Sequence, residues 1–576
     1  MSATAAMLAS VEEVKAALVV LQTAMALTAW QYPASCSMTN GSTLDYLVVG
    51  CGSAGSVVAR RLSKDRKTTV GVLEAGGYPP IESDLPGSFT LLPRSPYDYS
   101  FVAENDDYSA QNLINKRVRI VQGKMLGGTS SLHHLLWSQG DAFDYGQWAN
   151  ITGDPTWNHS NMIKYLRKAE KLLVPSILNS SYAEYHGTDG KLKITKEPYS
   201  VNDNYFNSLK QVGNLIRMDL SGESYLGYSD FLLNIADGLR QNCARAYLGK
   251  VKCRSNLCVS TDSTVTKILI TDGVATGVEM VDSNGDKYVL YARKEIIVSA
   301  GAINSPKLLM LSGIGPKSEL EELGIDVVVD LPVGENLQDH TCVALTYQME
   351  ANNETVPASN PHIFPVPSQI GSVALDSAQT YPDYQAINMI FPHDITAQIQ
   401  ICSIFLSYTN EICDKLYAAS AGRTTYLVLI HRTKPASRGK VGLASKDYTV
   451  DPTINLGMFS NSSDLQVMAR SLEHFNQIVD TPFFQSVNAT LVDVGLCSSS
   501  SSDFWECYAL ALSSSMNHLA GTCAMGTVLD SSLRVIGVNG LRVVDSSSMP
   551  TIPSNEITGA IVALAEKAAD LILREY

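Results

Sequence analysis

The chain has 576 residues, an apolar content of 45% and a formal net charge of −14. This length exceeds what one hydrophobic core usually supports, so we expect a globular protein of at least two domains. The negative charge argues against nucleic acid or an anionic membrane surface as a partner.

The N-terminal region contains a mostly apolar run from Ala16 to Trp30. Its roughly fifteen residues fall short of the ~20 that a membrane span needs, so no membrane span is expected. The run fits a signal peptide, and residues 34–36 supply small side chains for cleavage. Glu12 and Glu13 precede it, so a helix lying on the body of the protein is the alternative. Residues 1–36 are therefore assigned as a possible signal peptide or N-terminal helix.

Acceptor sequons for N-glycosylation favour a secreted, extracellular glycoprotein. Each is an asparagine followed two residues later by Ser or Thr, with no proline between them. The candidate asparagines are Asn40, Asn150, Asn158, Asn179, Asn353, Asn461 and Asn488.

The chain has eleven cysteines. Cys51 and Cys523 lie in glycine-rich motifs and are expected to be free and buried. Three other pairs have the spacing of local disulfide loops. These pairs are Cys253/Cys258, Cys402/Cys413 and Cys497/Cys507. No Cys-x-x-Cys or His-x-x-x-His spacing indicates a metal site.

The most informative local pattern begins near Asp45. A short apolar run enters a turn containing Gly50, Gly52 and Gly55, a helical segment follows, and a second apolar run ends at Glu74. In a dinucleotide fold such glycines permit a tight turn, close approach of a pyrophosphate, and close helix–strand packing. A carboxylate about twenty residues further on binds ribose hydroxyls. The predicted dinucleotide-binding residues are Gly50, Gly52, Ser53, Ala54, Gly55 and Glu74.

Later segments complete an α/β pattern. Strand-like runs are expected at 265–271, 274–281, 287–291 and 295–299. A helix is expected at 307–311, with Asn304 or Ser305 as its N-cap and Pro306 in its first turn. Residues 342–500 predict a second domain with an antiparallel sheet, and a final helix is expected at 559–576. The predicted fold class is α/β: a Rossmann-like nucleotide-binding domain with a second α+β domain built on an antiparallel sheet.

Four separated motifs resemble the glucose–methanol–choline (GMC) family of flavoprotein oxidoreductases, in the style of its insect members. Gly146 departs from the family pattern, which has an acid or an amide there. The resemblance extends from about residue 45 to the end of the chain. The motifs are GKMLGGTSSLHHLLW (123–137), GAINSPKLLMLSGIG (301–315), HLAGTCAMG (518–526) and VVDSSSMP (543–550).

The resemblance implies that the bound dinucleotide is FAD. It places Val265 near the adenine, and His133 beside the flavin ring where Asn is usual. Simple packing with a backbone hydrogen bond is the alternative for His133. Further cofactor contacts are implied for Gly127, Gly128, Thr129 and Asp545. The implied division is an FAD-binding part at 45–150, a substrate or lid part at 151–240, FAD-binding at 241–341, substrate-binding at 342–504 and a catalytic FAD-binding part at 505–576.

Oxidation of an alcohol requires a group that removes the hydroxyl proton. The family pattern assigns this step to His518, whose ring titrates near neutral pH. The second catalytic position, usually His or Asn, falls on Glu556, and an ionised carboxylate cannot donate a hydrogen bond to an alkoxide. Either Glu556 is protonated, or Asn555 replaces it through a one-residue shift, or the chemistry differs.

The resulting hypothesis is an FAD-dependent oxidoreductase that oxidises a small or hydrophobic primary or secondary alcohol by hydride transfer to flavin N5. Oxygen or another electron acceptor would reoxidise it. The alternative is a hydroxynitrile lyase of the same fold, with FAD as a structural cofactor and cyanohydrins as substrates. A non-catalytic homologue is the remaining possibility.

Overall fold

The computed structural model describes residues 31–197, 199, 201–222, 225–350, 360–391 and 396–576. The apolar run at 16–30 and the sequon at Asn353 lie outside these residues. Two large sheets organise the described part. Their strands are β1 (Thr43–Val49), β2 (Val70–Leu73), β3 (Gly227–Asp230), β4 (Leu257–Ser260), β5 (Thr264–Thr271), β6 (Val274–Val281), β7 (Lys287–Val298), β8 (Thr341–Met349), β9 (Ser368–Val373), β10 (Tyr384–Phe391), β11 (Thr424–Arg432), β12 (Thr490–Leu491), β13 (Ser513–Ser515) and β14 (Leu541–Val543).

The longer helices cover the faces and ends of these sheets. They are α1 (Ser53–Leu62), α2 (Ala142–Thr152), α3 (His159–Ala169), α4 (Asn202–Gln211), α5 (Gly301–Leu311), α6 (Asn410–Ser420), α7 (Ser462–Asn476), α8 (Phe504–Leu512) and α9 (Thr558–Glu575). Short helices occur at Ile81–Asp84, Pro175–Leu178, Lys317–Glu322, Thr396–Gln400 and Pro482–Ser486. Small sheets pair Phe101–Val102 with Arg119–Ile120, Leu192–Lys196 with Glu170–Leu172 and Leu232–Leu233, Ile235–Ala236 with Leu239–Arg240, Ile314–Gly315 with Val329–Asp330, and Lys440–Gly442 with Thr453–Asn455.

The first large sheet has the strand order β4-β2-β1-β7-β6-β5, with β14 also paired to β7. The strands β4, β2, β1, β7 and β14 run parallel, whereas β5 and β6 pair antiparallel at one edge. Leu47, Val72 and Ile297 have no exposed surface. Such continuous burial is typical of parallel strands covered by helices on both faces.

The second large sheet has the strand order β12-β8-β11-β10-β9-β3, with β13 also paired to β8. All of these pairings are antiparallel. A second apolar core surrounds this sheet and includes side chains of α7 and α8. The predicted fold class is therefore confirmed: a Rossmann-like mixed sheet and an α+β part built on an antiparallel sheet.

Strand β7 differs from the prediction of two separate strands at 287–291 and 295–299. It is continuous from Lys287 to Val298, because its first half pairs antiparallel with β6 and its second half pairs parallel with β1. The polar residues 293–294, where the sequence pattern predicts a break, form a bulge: the pairing with β1 shifts register between Ala292 and Glu295 and resumes beyond it.

Helix α5 starts six residues before its predicted start, so Pro306 lies inside it. Asp545, from a distant loop, accepts a hydrogen bond from the Gly301 amide at 2.9 Å and caps the helix. A proline inside a helix leaves the carbonyl four residues earlier without its donor. Here that carbonyl, of Ala302, accepts a hydrogen bond from the Thr522 hydroxyl at 2.6 Å. Tertiary contacts therefore replace the local signals that predicted a shorter helix.

Two of the three predicted disulfides, Cys402–Cys413 and Cys497–Cys507, are confirmed, as are the free and buried thiols of Cys51 and Cys523. The predicted pairing of Cys253 with Cys258 is wrong. Cys258 is bonded to Cys36, and Cys253 is an exposed free thiol. The reason is that Cys36 lies alongside β4, where its amide donates to the carbonyl of Val259 at 2.9 Å.

Residues 32–36 are part of the folded body. Tyr32 is buried, and its hydroxyl accepts a hydrogen bond from Asn242 at 2.7 Å. The hydroxyl of Tyr78 donates to the carbonyl of Pro33 at 2.9 Å. Cleavage after Cys36 would also remove one half of a disulfide. These contacts attach residues 32–36 to the first domain, and the end of a signal peptide stays a prediction.

Candidate active site

A cavity of about 450 Å³ lies between the two large sheets. The loops that follow β1 and β2 form one end of it, together with the turn at 127–129. The second sheet contributes the apolar side chains of Ile387, Met389 and Leu429 to its wall. The site is therefore built where the ends of parallel strands face the antiparallel sheet.

The turn after β1 depends on glycine at two positions. Gly50 has φ +96°, and a Cβ there would lie 2.4 Å from the carbonyl oxygen of Ser299. A Cβ at Gly55 would lie 1.9 Å from the carbonyl oxygen of Gly50, so only glycine lets α1 pack this close to the turn. Gly55 itself does not line the cavity. Gly52, Ser53 and Ala54 do, at the start of α1.

A second turn faces the first across the same end of the cavity. The amide of Gly127 donates to the carbonyl of Cys51 at 2.8 Å and links the two turns. A Cβ at Gly128 would lie 2.7 Å from the Cα of Gly52. Gly128 and Thr129 line the cavity, whereas Gly127 does not and serves the turn itself.

The carboxylate of Glu74 lies at the same end and is buried. It accepts hydrogen bonds from the amides of Cys51 at 2.7 Å and Gly76 at 3.0 Å. Burial raises the pKa of Glu74 from 4.5 to about 7. The side chain is therefore held in one orientation, and each oxygen retains a lone pair for a further donor.

These residues fit the ADP half of FAD. Two turns without side chains leave a narrow channel for a pyrophosphate, the first turn of α1 lies beside it, and a fixed carboxylate lies where ribose hydroxyls can donate. Val265 lines the cavity near this end. Asp545, the cap of α5, also lines it.

At the opposite end, His518 and Glu556 form an ion pair. Nε2 of His518 lies 2.9 Å from Oε2 of Glu556, and both residues line the cavity. Burial alone would raise the pKa of Glu556, but the charge of His518 lowers it. Burial alone would lower the pKa of His518, but Glu556 and then Asp339 raise it. Both directions favour an ionised Glu556 over the first explanation from the sequence, a protonated Glu556.

The second explanation, replacement of Glu556 by Asn555, is not supported by the geometry either. Asn555 is buried, and its amide oxygen accepts hydrogen bonds from Ser372 at 3.2 Å and Gln385 at 3.0 Å. It does not line the cavity, because these two residues of the second sheet hold it. Glu556 is thus the residue that faces His518.

Three residues near His518 were not identified from the sequence. His340 lies with its Nδ1 2.9 Å from Nδ1 of His518, and its Nε2 lies 3.2 Å from the carbonyl oxygen of Thr433. The ring of His431 stacks on His340 with centroids 4.7 Å apart. Asp339 accepts the backbone amide of His518 at 2.9 Å. For Asp339 and His340, the sequence signal that could have indicated a site is the polar run QDH at 338–340, directly before the long strand β8.

His133 also lines the cavity. Its Nδ1 accepts a hydrogen bond from the amide of Leu135 at 2.9 Å, and Arg240 donates to its carbonyl oxygen at 2.6 Å. Burial, with the nearby Arg240 charge, lowers the pKa of His133 to about 3, so the ring is neutral. The backbone hydrogen bond considered as an alternative is present, and a contact with a bound flavin remains a prediction.

Aromatic side chains enclose the space next to His518 and Glu556. Phe89 and Phe405 contact the ring of His134 at centroid distances of 5.0 and 4.5 Å, and Phe364 lies 5.2 Å from Phe89. Burial lowers the pKa of His134 to about 4. This end of the cavity is thus an apolar chamber in which the ion pair is the main charged feature among the lining residues described.

Comparison with known proteins gives a consistent result. The sequence profile of the GMC oxidoreductase N-terminal domain matches residues 44–342, and that of the C-terminal domain matches residues 435–565. The chain is 35% identical to an ecdysone oxidase of Bombyx mori, over 95% of this chain and 84% of the relative. It is 30% identical to a glucose dehydrogenase [FAD, quinone] of Drosophila melanogaster, over 92% and 87%.

Solved structures agree in fold. A pyridoxine 4-oxidase from Mesorbium loti superposes with a TM-score of 0.79 at 25% identity, over 92% of this chain and 99% of the other. A fungal aryl-alcohol oxidase superposes with a TM-score of 0.76 at 22% identity, over 94% and 100%. No helix in the described part of the chain is both long and apolar enough to cross a bilayer.

Proposed function

The chain belongs to the GMC oxidoreductase family and is an FAD-dependent oxidoreductase, and we propose that it oxidises a hydrophobic primary or secondary alcohol. One observation carries this proposal: the His518–Glu556 pair lies in an aromatic chamber of the same cavity that the glycine turns and Glu74 line. The proton-accepting group and the nucleotide-binding features therefore share one enclosed space.

FAD, when bound, supplies the hydride acceptor for alcohol oxidation. The chain's own task is to receive the hydroxyl proton, and we assign this to Nε2 of His518 in the fraction of molecules in which the ring has lost the proton that it shares with Glu556. Glu556 then stabilises the resulting imidazolium through the 2.9 Å contact. Its other oxygen, Oε1, is buried without a hydrogen-bond partner among the described residues. Because the hydroxyl proton goes to Nε2 of His518, this oxygen is left to accept a hydrogen bond from another donor group of a bound molecule.

The lyase alternative is less well supported. The relatives named above are oxidases and dehydrogenases. The ionised Glu556 also has a role in an oxidase, because it stabilises the charged base rather than the alkoxide. The presence of Glu556, on which the lyase hypothesis rests, is therefore also compatible with alcohol oxidation.

We also propose that the protein is exported. Its disulfides, Cys36–Cys258, Cys402–Cys413 and Cys497–Cys507, are typical of proteins that fold in an oxidising compartment. Five of the candidate glycosylation sites, Asn40, Asn150, Asn179, Asn461 and Asn488, are exposed. Mass spectrometry of protein from the culture medium of secreting cells tests this, since the absence of both glycans and disulfides would contradict it.

The test of the reaction uses purified, FAD-bound protein under anaerobic conditions. Ecdysone and benzyl alcohol are the apolar probes, and glucose is the polar control. We expect an apolar alcohol to bleach the flavin absorbance and glucose to leave it unchanged. The variant His518→Gln should remain yellow but lose bleaching. Persistent colour with every alcohol, together with cyanide release from mandelonitrile, would establish the lyase instead.

A second measurement separates the electron acceptors. After anaerobic reduction, the flavin is mixed with air-saturated buffer or with a soluble quinone. Rapid return of colour with oxygen identifies an oxidase, whereas rapid return with quinone alone identifies a dehydrogenase. Both outcomes are compatible with the proposed alcohol oxidation, and each identifies the acceptor that reoxidises the flavin.

A further inference from the structure

We propose that His340 is a positioning residue that keeps a proton on Nδ1 of His518, so that His518 exchanges protons with the cavity through Nε2 alone. This inference rests on the proposed function, in which His518 receives the substrate proton. It follows from the hydrogen bonds of a row of groups that starts at Glu556 and ends at the carbonyl of Thr433, directly after β11.

The protons of this row are fixed from the Thr433 carbonyl. Nε2 of His340 lies 3.2 Å from the carbonyl oxygen of Thr433. A carbonyl oxygen only accepts hydrogen bonds, so this nitrogen carries a proton. The other nitrogen of His340 is then protonated only if the ring is a cation.

The surroundings of His340 disfavour the cation. The ring has no exposed surface, and the ring of His431 stacks on it with an interplanar angle of 17°. Burial, together with the nearby His431 and His518, holds the pKa of His340 well below its ordinary value. Its Nδ1 therefore presents a lone pair to His518. Because the two Nδ1 atoms are 2.9 Å apart, His518 must be the donor.

The arrangement directs protons toward the cavity. With Nδ1 of His518 occupied by a fixed proton, Nε2 is the nitrogen that gains or loses one, and it faces Glu556. A proton cannot continue through His340, since the row ends at the Thr433 carbonyl. Asp339 contacts the backbone amide of His518 rather than its ring. The substrate proton is consequently retained between His518 and Glu556.

The first test reads the tautomer directly. FAD-bound protein labelled with ¹⁵N-histidine is examined by long-range ¹H–¹⁵N correlation, with the His518 signals assigned from their loss in His518→Gln. Spectra are recorded at increasing pH, because the ring paired with Glu556 carries protons on both nitrogens until it titrates. Where the ring is neutral, we expect it to be protonated on Nδ1 and bare on Nε2. A ring protonated on Nε2 and bare on Nδ1 would overturn the proposal. This readout does not depend on any substrate.

Two variants of His340 supply the matched comparison. His340→Asn keeps an acceptor oxygen close to the position of Nδ1, whereas His340→Leu keeps bulk without an acceptor. We expect His340→Leu to show mixed tautomers of His518 and to slow anaerobic flavin reduction by at least about 10-fold. His340→Asn should retain the wild-type tautomer and reduce the flavin within about 3-fold of the wild-type rate.

Equal tautomer signals and rates in the leucine variant and the wild type would overturn the proposal. If His340→Leu does not fold with bound FAD, the wild-type spectrum and His340→Asn still decide the matter. If the tautomer is as expected but no alcohol bleaches the wild-type flavin, the proposed function fails while the role of His340 stands. The titration of His518 also depends on its charged and titratable neighbours, which are Glu556, Asp339, His340 and His431.

Discussion

A buried histidine outside the cavity, His186, lies between two carboxylates. Its Nδ1 is 3.0 Å from Glu170 and its Nε2 is 2.7 Å from Asp219. Burial alone would lower the pKa of His186, but hydrogen bonds to Asp219 and Glu170 raise it from 6.5 to about 10. We therefore expect a charged ring at neutral pH that donates one hydrogen bond to each carboxylate.

The size of the effect follows from the two pKa values. The rise from 6.5 to about 10 is worth about 5 kcal/mol of folding free energy at 1.36 kcal/mol per unit. Because the folded value is the higher one, this stabilisation is fully present below pH 6.5 and is lost as the pH rises toward 10. About 4 kcal/mol remains at pH 7 and about 1 kcal/mol at pH 9, so roughly 3 kcal/mol is lost between them.

The assay compares the wild type with His186→Gln, which removes the charge but keeps a hydrogen-bond donor. Urea unfolding of the FAD-bound proteins is followed at pH 7 and pH 9. We expect the variant to be less stable at pH 7, and the difference to shrink by roughly 3 kcal/mol at pH 9. The same stability difference at both pH values, or a His186 resonance that titrates near its ordinary value, would refute the reasoning.

Three further outcomes are expected. Glu556→Gln should move the acidic limb of the kcat/KM profile to lower pH, because the carboxylate that raises the pKa of His518 is gone; an unmoved limb would contradict this. Gly55→Ala should abolish flavin binding, measured by absorbance, since its Cβ would lie 1.9 Å from a carbonyl oxygen. The control Gly146→Ala should bind flavin normally, because its Cβ would meet no atom within 4 Å. Thr522→Val should lower stability in thermal unfolding by about 1–3 kcal/mol, because the carbonyl freed by the proline inside α5 loses its donor; Thr522→Ser should not.

The nucleotide-binding part could be predicted because its features are local in sequence. The glycines of the first turn and Glu74 lie within 25 residues of one another, and each is required by backbone geometry or by a ribose hydroxyl. The bond between Cys36 and Cys258 could not be predicted in this way. It joins positions 222 residues apart, and it depends on the N-terminal segment lying along β4.

The candidate active site likewise combines residues that local motifs reveal with a contact between residues far apart in sequence. The sequence motifs identified His518 and Glu556, whereas the contact of His518 with His340 joins residues 178 apart. That contact exists because β13, which precedes His518, pairs with β8, which follows His340. No local pattern encodes the register of two such distant strands, so the positioning residue became visible only in the folded structure.

Glu556 does not fit the usual role of its position in alcohol oxidation, because an ionised carboxylate cannot donate a hydrogen bond to an alkoxide. Its contact with His518 changes the question from hydrogen bonding to the basicity of the ring. Burial makes the neutral ring favourable, and Glu556 opposes this by stabilising the imidazolium. A ring whose pKa is raised is a stronger base but is deprotonated in a smaller fraction of molecules at low pH. The carboxylate therefore strengthens the base at the cost of its availability in acid, and activity should rise with pH through the pKa of His518.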